Sequence, residues 1–435
     1  NIFWVPVSAR WPHIQKNAKA DNIGKLIDDA MLEVEKENPK LKNILDKRYA
    51  RTQGNLPTNK LGEIIDLISS IGFDMEDKSK DVIGEIFEYF LGEFASAEGK
   101  KGGQFYTPAS VVRTLVEILQ PYKGRIYDPA CGSAGMFIQS EAFIKAHGGK
   151  TDDLSIYGQE SNPTTWRLAA MNLVTKNYGF NLGKEPGDSF HNDQHPDLRA
   201  DFVIANPPFN VSDWGQEQAL QDPRWKHGVP PKGNANYAWI QHMLHHMNSD
   251  GRAGIVLSNG SMNSSQKEEL AIRSSLVDQD IVECMVSLPT NLFFNTTIPA
   301  CEWFLNKNKA NLHPSCKGKV LFIDARNLGT MTTRVIRTLS DADIKKIADT
   351  YIAWSKGENY KDILGFCKSV DIKDVKKNDY GLNPSSYVGI EKSTETKEEF
   401  DKKMKELHKT LKDQMSKSSA LDKSIVESLK EIGYE

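Results

Sequence analysis

"IYDPACGSAGMF", residues 126 to 137, decides the fold. Ile126 and Tyr127 run into Asp128, small residues with glycines at 132 and 135 follow, and Met136 and Phe137 open a helix-like pattern. A strand that ends in an acid and turns through glycines into a helix lets a ligand approach free backbone N–H groups at the helix N-terminus. The turn is of the nucleotide-binding kind but lacks the G-x-G-x-x-G spacing of dinucleotide sites. Asp128 repels a pyrophosphate and attracts an ammonium, so a cationic ligand is expected. Taken alone, the stretch reads equally as a glycine-rich strand-to-helix turn with a capping acid.

Outward from it, strand-like runs recur. "RIYDPA" (125 to 130), "LSIYGQE" (154 to 160), "DFVIAN" (201 to 206), "AGIVLSN" (253 to 259) and "VECMVSLP" (282 to 289) are separated by helical segments, including "TTWRLAAMNLVTKNY" and "NYAWIQHMLHHMN". "ACEWFLNK" (300 to 307) and "KVLFIDA" (319 to 325) follow. The alternation predicts an α/β fold, a Rossmann-like, mostly parallel, doubly wound sheet. No helix separates 282–289 from 300–307, so these two are expected to form an antiparallel pair at one sheet edge. Before about residue 95, "NKLGEIIDLISSIGF" and "DVIGEIFEYFLGEFA" carry apolar residues at three and four spacing (Ile83, Ile86, Phe87, Phe90, Leu91, Phe94), which predicts a helical domain. A Gly/Lys-rich loop, "GKKGGQFYTP", leads from it into the sheet. The expected organisation is a helical domain over 1–95, an α/β domain over 96–330, an irregular extension over 331–390 and a helical segment over 391–435. That last segment places Phe400, Met404, Leu407 and Leu411 at heptad spacing, a narrow seam that suits packing on its own domain or on a partner helix.

The bulk properties set bounds. With 435 residues, 39% hydrophobic and 26% charged, the chain has room for two or three globular domains. No apolar stretch approaches bilayer length, and the first residues lack a charged start and a signal-peptidase site, so a cytoplasmic location is expected. The chain opens on Asn1 rather than Met, which points to a start inside a longer chain. Five cysteines, an odd number with no C-x-x-C pair, argue against a disulfide framework and a zinc site. A formal net charge of -3 does not advertise nucleic-acid binding, so any DNA contact is local or supplied by a partner.

The remaining strand ends complete a site. Glu160 closes the second strand, where an acid accepts ribose hydroxyls. "GDSF" (187 to 190) offers Asp188 to an adenine amino group, with Phe190 available to stack. Each alone is an ordinary loop acid; together they describe a pocket for an adenosine bearing an amino-acid tail. "ANPPFN" (205 to 210) then stops a strand with two prolines, a stiff corner at the carboxyl end. An aromatic amine is a poor nucleophile because its lone pair is delocalised. If the Asn206 side-chain oxygen and the Pro207 carbonyl each accept one N–H, the nitrogen is drawn toward tetrahedral geometry and can attack a sulfonium methyl. Pro207 and Pro208 hold the acceptors in place, and Phe209 gives the base a face to stack on.

"GGQFYTP", "DPACGSAGMF", "GQESNPTTWRLAAMN", "GDSF" and "NPPF", in that order, resemble the N6-adenine DNA methyltransferases, most closely the modification (methylation) subunit of type I restriction-modification systems. The resemblance runs from about Ile83 to Lys307. It implies S-adenosylmethionine as cofactor, with Gln104, Thr107 and Pro108 near its methionine end, Asp128 and the Gly132–Ser133–Gly135 backbone at its amino-acid tail, Glu160 at its ribose and Asp188 at its adenine. It implies that Asn206, Pro207, Pro208 and Phe209 hold the target base, and that Phe293 or Phe294 packs on the base's other face. Ala134 stands where the family often has glycine, so the backbone is expected to approach the cofactor less closely. N6 of adenine is buried in the duplex and must be swung out. The implied partners are double-stranded DNA, a specificity subunit that reads the sequence, a second modification subunit and a restriction (nuclease-translocase) subunit, with the C-terminal helix as the contact to specificity. A stand-alone adenine or protein-glutamine methyltransferase, or a silent scaffold binding DNA and subunits, remain the alternatives.

Three features read as structural. His242, His245 and His246 sit on one helix without an accompanying carboxylate or cysteine motif, and Cys131 has no base nearby in sequence. Lys100 and Lys101 either contact phosphate or solubilise their loop.

Overall fold

The computed structural model describes residues 4–51, 57–70, 107–150, 153–293, 298–390 and 397–431. They form two compact units, Asn1–Gly389 and Ile390–Glu435. Among the described residues no helix is long and apolar enough to cross a membrane.

The first unit opens with three helices, α1 (Trp11–Lys16), α2 (Ile23–Glu37) and α3 (Thr58–Ser70), around a small core of Ala18, Ile23, Leu61 and Ile65. The helical pattern read over 83–94 lies outside the described residues. The sheet follows: β1 (Gly124–Asp128), β2 (Leu154–Gly158), β3 (Phe180–Asn181), β4 (Ala200–Ala205), β5 (Met247–Ser258), β6 (Val282–Ser287), β7 (Ala300–Asn306), β8 (Lys319–Asp324) and β11 (Cys367–Asp371). They line up in the order β11-β8-β6-β7-β5-β4-β1-β2-β3. β1 pairs in parallel with β2 and β4, β4 with β5, and β6 with β8, while β7 runs antiparallel between β5 and β6. β4, β5, β6 and β8 therefore all point their carboxyl ends to one edge, as β1 and β2 do.

The β6–β7 pair is antiparallel as expected, but it does not form an edge. Every residue of both strands is buried, which a strand achieves only when both faces are covered. The edges are instead β11, of five residues, and β3, of two. Glu302, within β7, is wholly buried with neither carboxylate oxygen partnered among the described residues, and burial drives its carboxyl well above the usual range.

Helices α4 (Ala109–Leu119), α5 (Gly135–Ala146) and α6 (Pro163–Thr175) cover one face, with Leu115, Phe137 and Leu173 in the core. Helix α7 (Asn236–His246) and α8 (Lys267–Asp278) cover the other, around Tyr237, Trp239 and Trp303.

The stretch 331–390, expected to be irregular, carries a small hairpin, β9 (Thr330–Met331) and β10 (Arg337–Thr338), then α9 (Asp341–Lys356), β11 and α10 (Ile372–Lys377). Helix α9 starts at a capping box of Ser340 and Asp343 and stops at Gly357, whose φ of 70° suits glycine. Its buried seam of Ile344, Ile347, Tyr351 and Trp354 joins the core, and Arg252 donates to the Tyr351 hydroxyl at 2.6 Å. Polar residues outnumber that seam, which is why composition hid it.

The second unit is one long helix, α11 (Lys397–Glu431). Met404, Leu407, Leu411, Met415, Leu421 and Ile425 along it are all at least half exposed.

Candidate active site

Asp128 is 1% exposed, and its Oδ1 accepts the Ala130 N–H at 2.9 Å. Burial, reinforced by the Glu160 charge, pushes its carboxyl up to about 8. Gly132 has a φ of +53°, and a Cβ added there or at Gly135 would meet nothing within 4 Å, so open space lies against the turn. Glu160 is buried as well: its Oε2 accepts the Gly132 N–H at 3.1 Å and its Oε1 the Asn162 N–H at 2.8 Å. Burial raises this carboxyl too. Ser133 turns its carbonyl to the Asn172 amide at 2.9 Å. Ala134 differs from the expectation. Its methyl is fully buried in the core, so it does not stand off a ligand; what the alanine bears is a left-handed backbone, φ 71°.

The Asp188 loop is bolted to this turn. The Ser189 hydroxyl donates to the Pro129 carbonyl, and the buried Gln159 amide donates to the Gly187 carbonyl at 3.0 Å. Asp188 Oδ2 lies 2.8 Å from His191 Nδ1, and His191 Nε2 lies 3.1 Å from the Gly215 carbonyl. Both partners only accept, so the site favours a ring with both nitrogens protonated. Burial alone would lower its pKa, but Asp188 and the carbonyl outweigh it and raise it. Asp188, His191 and Pro208 help line a cavity of about 380 Å³ with Phe190, Trp214 and Trp239. Phe190 packs 4.3 Å from Trp239 and 5.0 Å from Trp214, centroid to centroid, so it is part of an aromatic wall.

Beneath that wall the histidines find their role. Arg224, 7% exposed, donates to the Ser189 carbonyl at 2.7 Å and to the Phe190 carbonyl, and reaches His242 Nδ1 at 2.8 Å. His242 Nε2 meets the Tyr127 hydroxyl at 3.2 Å, and His246 Nε2 meets Asp193 at 2.9 Å. Asp193, His242 and His246 offer ligand atoms within 4.8 Å of one another. The guanidinium on His242 opposes a cation at that place, and desolvation holds the ring neutral, its pKa well below the usual value. These side chains therefore form a buried hydrogen-bonded support for the Asp188 loop. Cys131 is buried and its thiol is raised well above its usual pKa, which suits packing.

The proline corner is built differently. Asn206 Nδ2 donates to the Thr107 hydroxyl at 2.7 Å, whereas Asn206 Oδ1 is buried with no partner. The Pro207 carbonyl accepts no hydrogen bond among the described residues. Beyond Phe209 the chain is locked by Asn210, φ 54°. Its side-chain oxygen accepts from Asn236 at 2.9 Å and from Ser258 at 2.9 Å, and its N–H donates to Asn236 at 3.1 Å. Phe209 meets Phe293 edge to face, centroids 5.9 Å apart at 80°. Phe293 is 4% exposed, so in this arrangement it backs the Phe209 ring from the core. Phe294, Gln104, Lys100 and Lys101 lie outside the described residues.

The site thus gathers Thr107, Pro108, Asn206 and Phe209 at the start of α4 and the end of β4, beside the Asp128 and Glu160 turns of β1 and β2. Arg224, His191, Asn210, Asn236 and Ser258 carried no local signal. Only the second asparagine of "NPPFN" hinted at a residue suited to a left-handed turn.

Comparison with known proteins identifies the family. The N-6 DNA Methylase family matches residues 78–396, and the HsdM N-terminal domain matches residues 1–68. The type I restriction enzyme HindI methylase subunit of Haemophilus influenzae is 45% identical over 99% of this chain and 100% of its own length. The MjaIX methylase subunit of Methanocaldococcus jannaschii is 38% identical over 100% of this chain and 78% of its own. Among solved structures, a type I restriction-modification methyltransferase subunit from Streptococcus thermophilus superposes with a TM-score of 0.72 at 23% identity, covering 88% of this chain and 80% of that one, which shows the shared fold. The chain belongs to the N-6 DNA methylase family, as an adenine-specific DNA methyltransferase of the type I modification-subunit kind.

Proposed function

We propose that the edge formed by the β1, β2 and β4 loops takes S-adenosylmethionine and an adenine swung out of duplex DNA, and that Asn206 Oδ1 and the Pro207 carbonyl are the acceptors that hold the target amine. The observation that carries this reading is the buried, unpartnered Asn206 Oδ1. A buried acceptor without a donor costs about 1–3 kcal/mol and calls for a partner. The corner is stiff and its amide end is already fixed by Thr107, so the acceptor waits in position at no further expense of ordering.

The residues present suit the cofactor. Asp128, raised to about 8 when alone, gains a counter-charge from the ammonium of an amino-acid tail. The open space at Gly132 and Gly135 leaves room for that tail. Glu160 and Asp188 each keep lone pairs beyond those used by the backbone and His191, for ribose hydroxyls and an adenine amine respectively. When bound, S-adenosylmethionine supplies an electrophilic methyl on sulfur. Asn206 Oδ1 and the Pro207 carbonyl would each accept one N6 hydrogen, which frees the nitrogen lone pair toward the methyl that the bound cofactor would supply. One N6 proton, now acidic, leaves to water past Asn206 Oδ1. Phe209 stacks on the base; with Phe293 already behind Phe209, Phe294 is the residue we assign to the opposite face.

The exposed seam of α11 supports assembly: a strip of Met404, Leu407 and Leu411 in water is suited to a helical partner. We assign that partner to a specificity subunit, which a chain of net charge -3 needs for reading sequence. A second modification subunit and a restriction subunit complete the complex.

Transfer of labelled methyl to unmethylated DNA tests this, comparing the purified chain, the complex it pulls from its own cells and Asn206→Ala. Label at adenine N6 with the complex only, lost in the variant, is the expected result. Label on RNA or protein but not DNA would overturn the substrate, and label with the chain alone would overturn the division of labour.

A further inference from the structure

The hairpin between β9 and β10 leaves the same sheet edge as the proline corner, because it follows β8, which is parallel to β6. It is braced against the loop that carries Phe293. The Arg337 N–H donates to the Asn291 carbonyl at 2.8 Å, and Asn291 Nδ2 donates to the Val335 carbonyl at 3.1 Å. Phe293 in turn touches Phe209. One chain of contacts thus joins the hairpin to the stacking face of the target pocket.

The hairpin's tip is ordered by itself. Thr333 Oγ1 accepts the N–H groups of Val335 at 3.3 Å and Ile336 at 3.0 Å, and the Ile336 carbonyl accepts those of Thr332 at 2.9 Å and Thr333 at 3.2 Å. The tip presents an apolar knob beside a cation. Val335 is 66% exposed and Met331 46%, between threonine hydroxyls, and the exposed Arg334 pairs with no acid among the described residues. An unpaired guanidinium beside an apolar knob has a charge and a shape that complement a phosphate backbone and the sugar and base edges next to it. A rigid tip loses little entropy on binding.

We propose that the hairpin Thr330–Thr338 is a DNA-contacting element of this site, with Arg334 on a backbone phosphate flanking the extruded adenine and Val335 against the duplex beside the gap. The proposal rests on the reading of the pocket given above. Arg334 adds to affinity without reading sequence. Val335 keeps the neighbouring base pairs from closing on the vacated position.

The test uses the whole complex purified with its specificity partner, on a duplex bearing the sequence that it methylates. For Arg334→Ala the dependence of log binding constant on log salt should become shallower by about 0.9, the loss of one phosphate contact. For Val335→Ala, single-turnover methylation of the paired duplex should slow about tenfold and recover when the target adenine faces an abasic site, where extrusion meets no pairing. An unchanged salt slope together with unchanged methylation would overturn the hairpin while the pocket stands. Loss of assembly by gel filtration in either variant would overturn it in favour of a protein contact. A wild-type complex that leaves adenine N6 unmethylated would sink the pocket reading itself, and the hairpin with it.

Discussion

Two neighbouring, hydrogen-bonded strands of this sheet end in loops built on opposite principles. At the end of β1 the acids are engaged by backbone N–H groups: Asp128 Oδ1 caps Ala130, Glu160 holds the Gly132 amide, and burial pushes the Asp128 carboxyl up to about 8. At the end of β4 the corner is just as fixed, the Asn206 amide by Thr107 and the chain beyond Phe209 by Asn210, yet two acceptors are left without donors among the described residues. The first loop is designed to bind through charge that a ligand can induce, the second to act through geometry that no ligand need induce. Binding and chemistry should therefore separate cleanly on mutation.

The largest effect is expected at the corner. Asn206→Ala should lower the single-turnover rate by about a thousandfold, the scale of losing a preorganised hydrogen-bonding group, while S-adenosylmethionine binding by calorimetry stays within about twofold. The next is at the turn. Asp128→Asn should weaken cofactor binding about a hundredfold, the loss of a buried charge pair, with the rate at saturating cofactor largely kept. Its pH dependence sharpens the point. With Asp128 at about 8 in the ligand-free protein, the carboxylate that a cation needs is scarce below that pH, so affinity should rise about tenfold per unit up to about 8 and then level off. The asparagine variant should show no such rise. By the same sign, the free protein binds this proton more tightly than the unfolded chain, so stability measured by denaturant should fall as pH climbs from about 4 toward 8.

Smaller effects divide each loop further. Thr107→Val removes the partner of the Asn206 amide and lets it rotate; a loss of about tenfold in rate is expected, near the worth of one hydrogen bond, with Thr107→Ser restoring most of it. Ala134→Gly relieves a left-handed alanine but removes a methyl buried in the core, effects of about 1 kcal/mol each and opposite in sign, so unfolding stability should change little and the rate not at all. An equal effect of Thr107→Val on cofactor affinity and on rate would break the separation between the two loops.

How much of this was legible follows from the same contrast. Asp128, Glu160 and Asn206 announce themselves because a short apolar run and a Gly or Pro turn fix them at strand ends within a few residues. The structure adds what local pattern does not encode. The placing of β7 between β5 and β6 is decided by burial on both faces of Ala300–Asn306. The seam of α9 was visible at three and four spacing behind a capping box, but its polar majority masked it. Arg224 and the Asn210–Asn236–Ser258 lock act across 18 to 48 residues of chain, and no spacing rule links a lone arginine to the carbonyls it will hold.

The measurement that bears most directly on the central claim is a paired one on the intact complex: cofactor affinity by calorimetry and single-turnover methyl transfer to adenine N6, for Asn206→Ala beside Asp128→Asn. The account predicts that the first variant binds and does not transfer, and that the second transfers once cofactor is forced to saturation. Transfer at near wild-type rate by Asn206→Ala would mean that the unpartnered carbonyl oxygen is not the acceptor for the target amine.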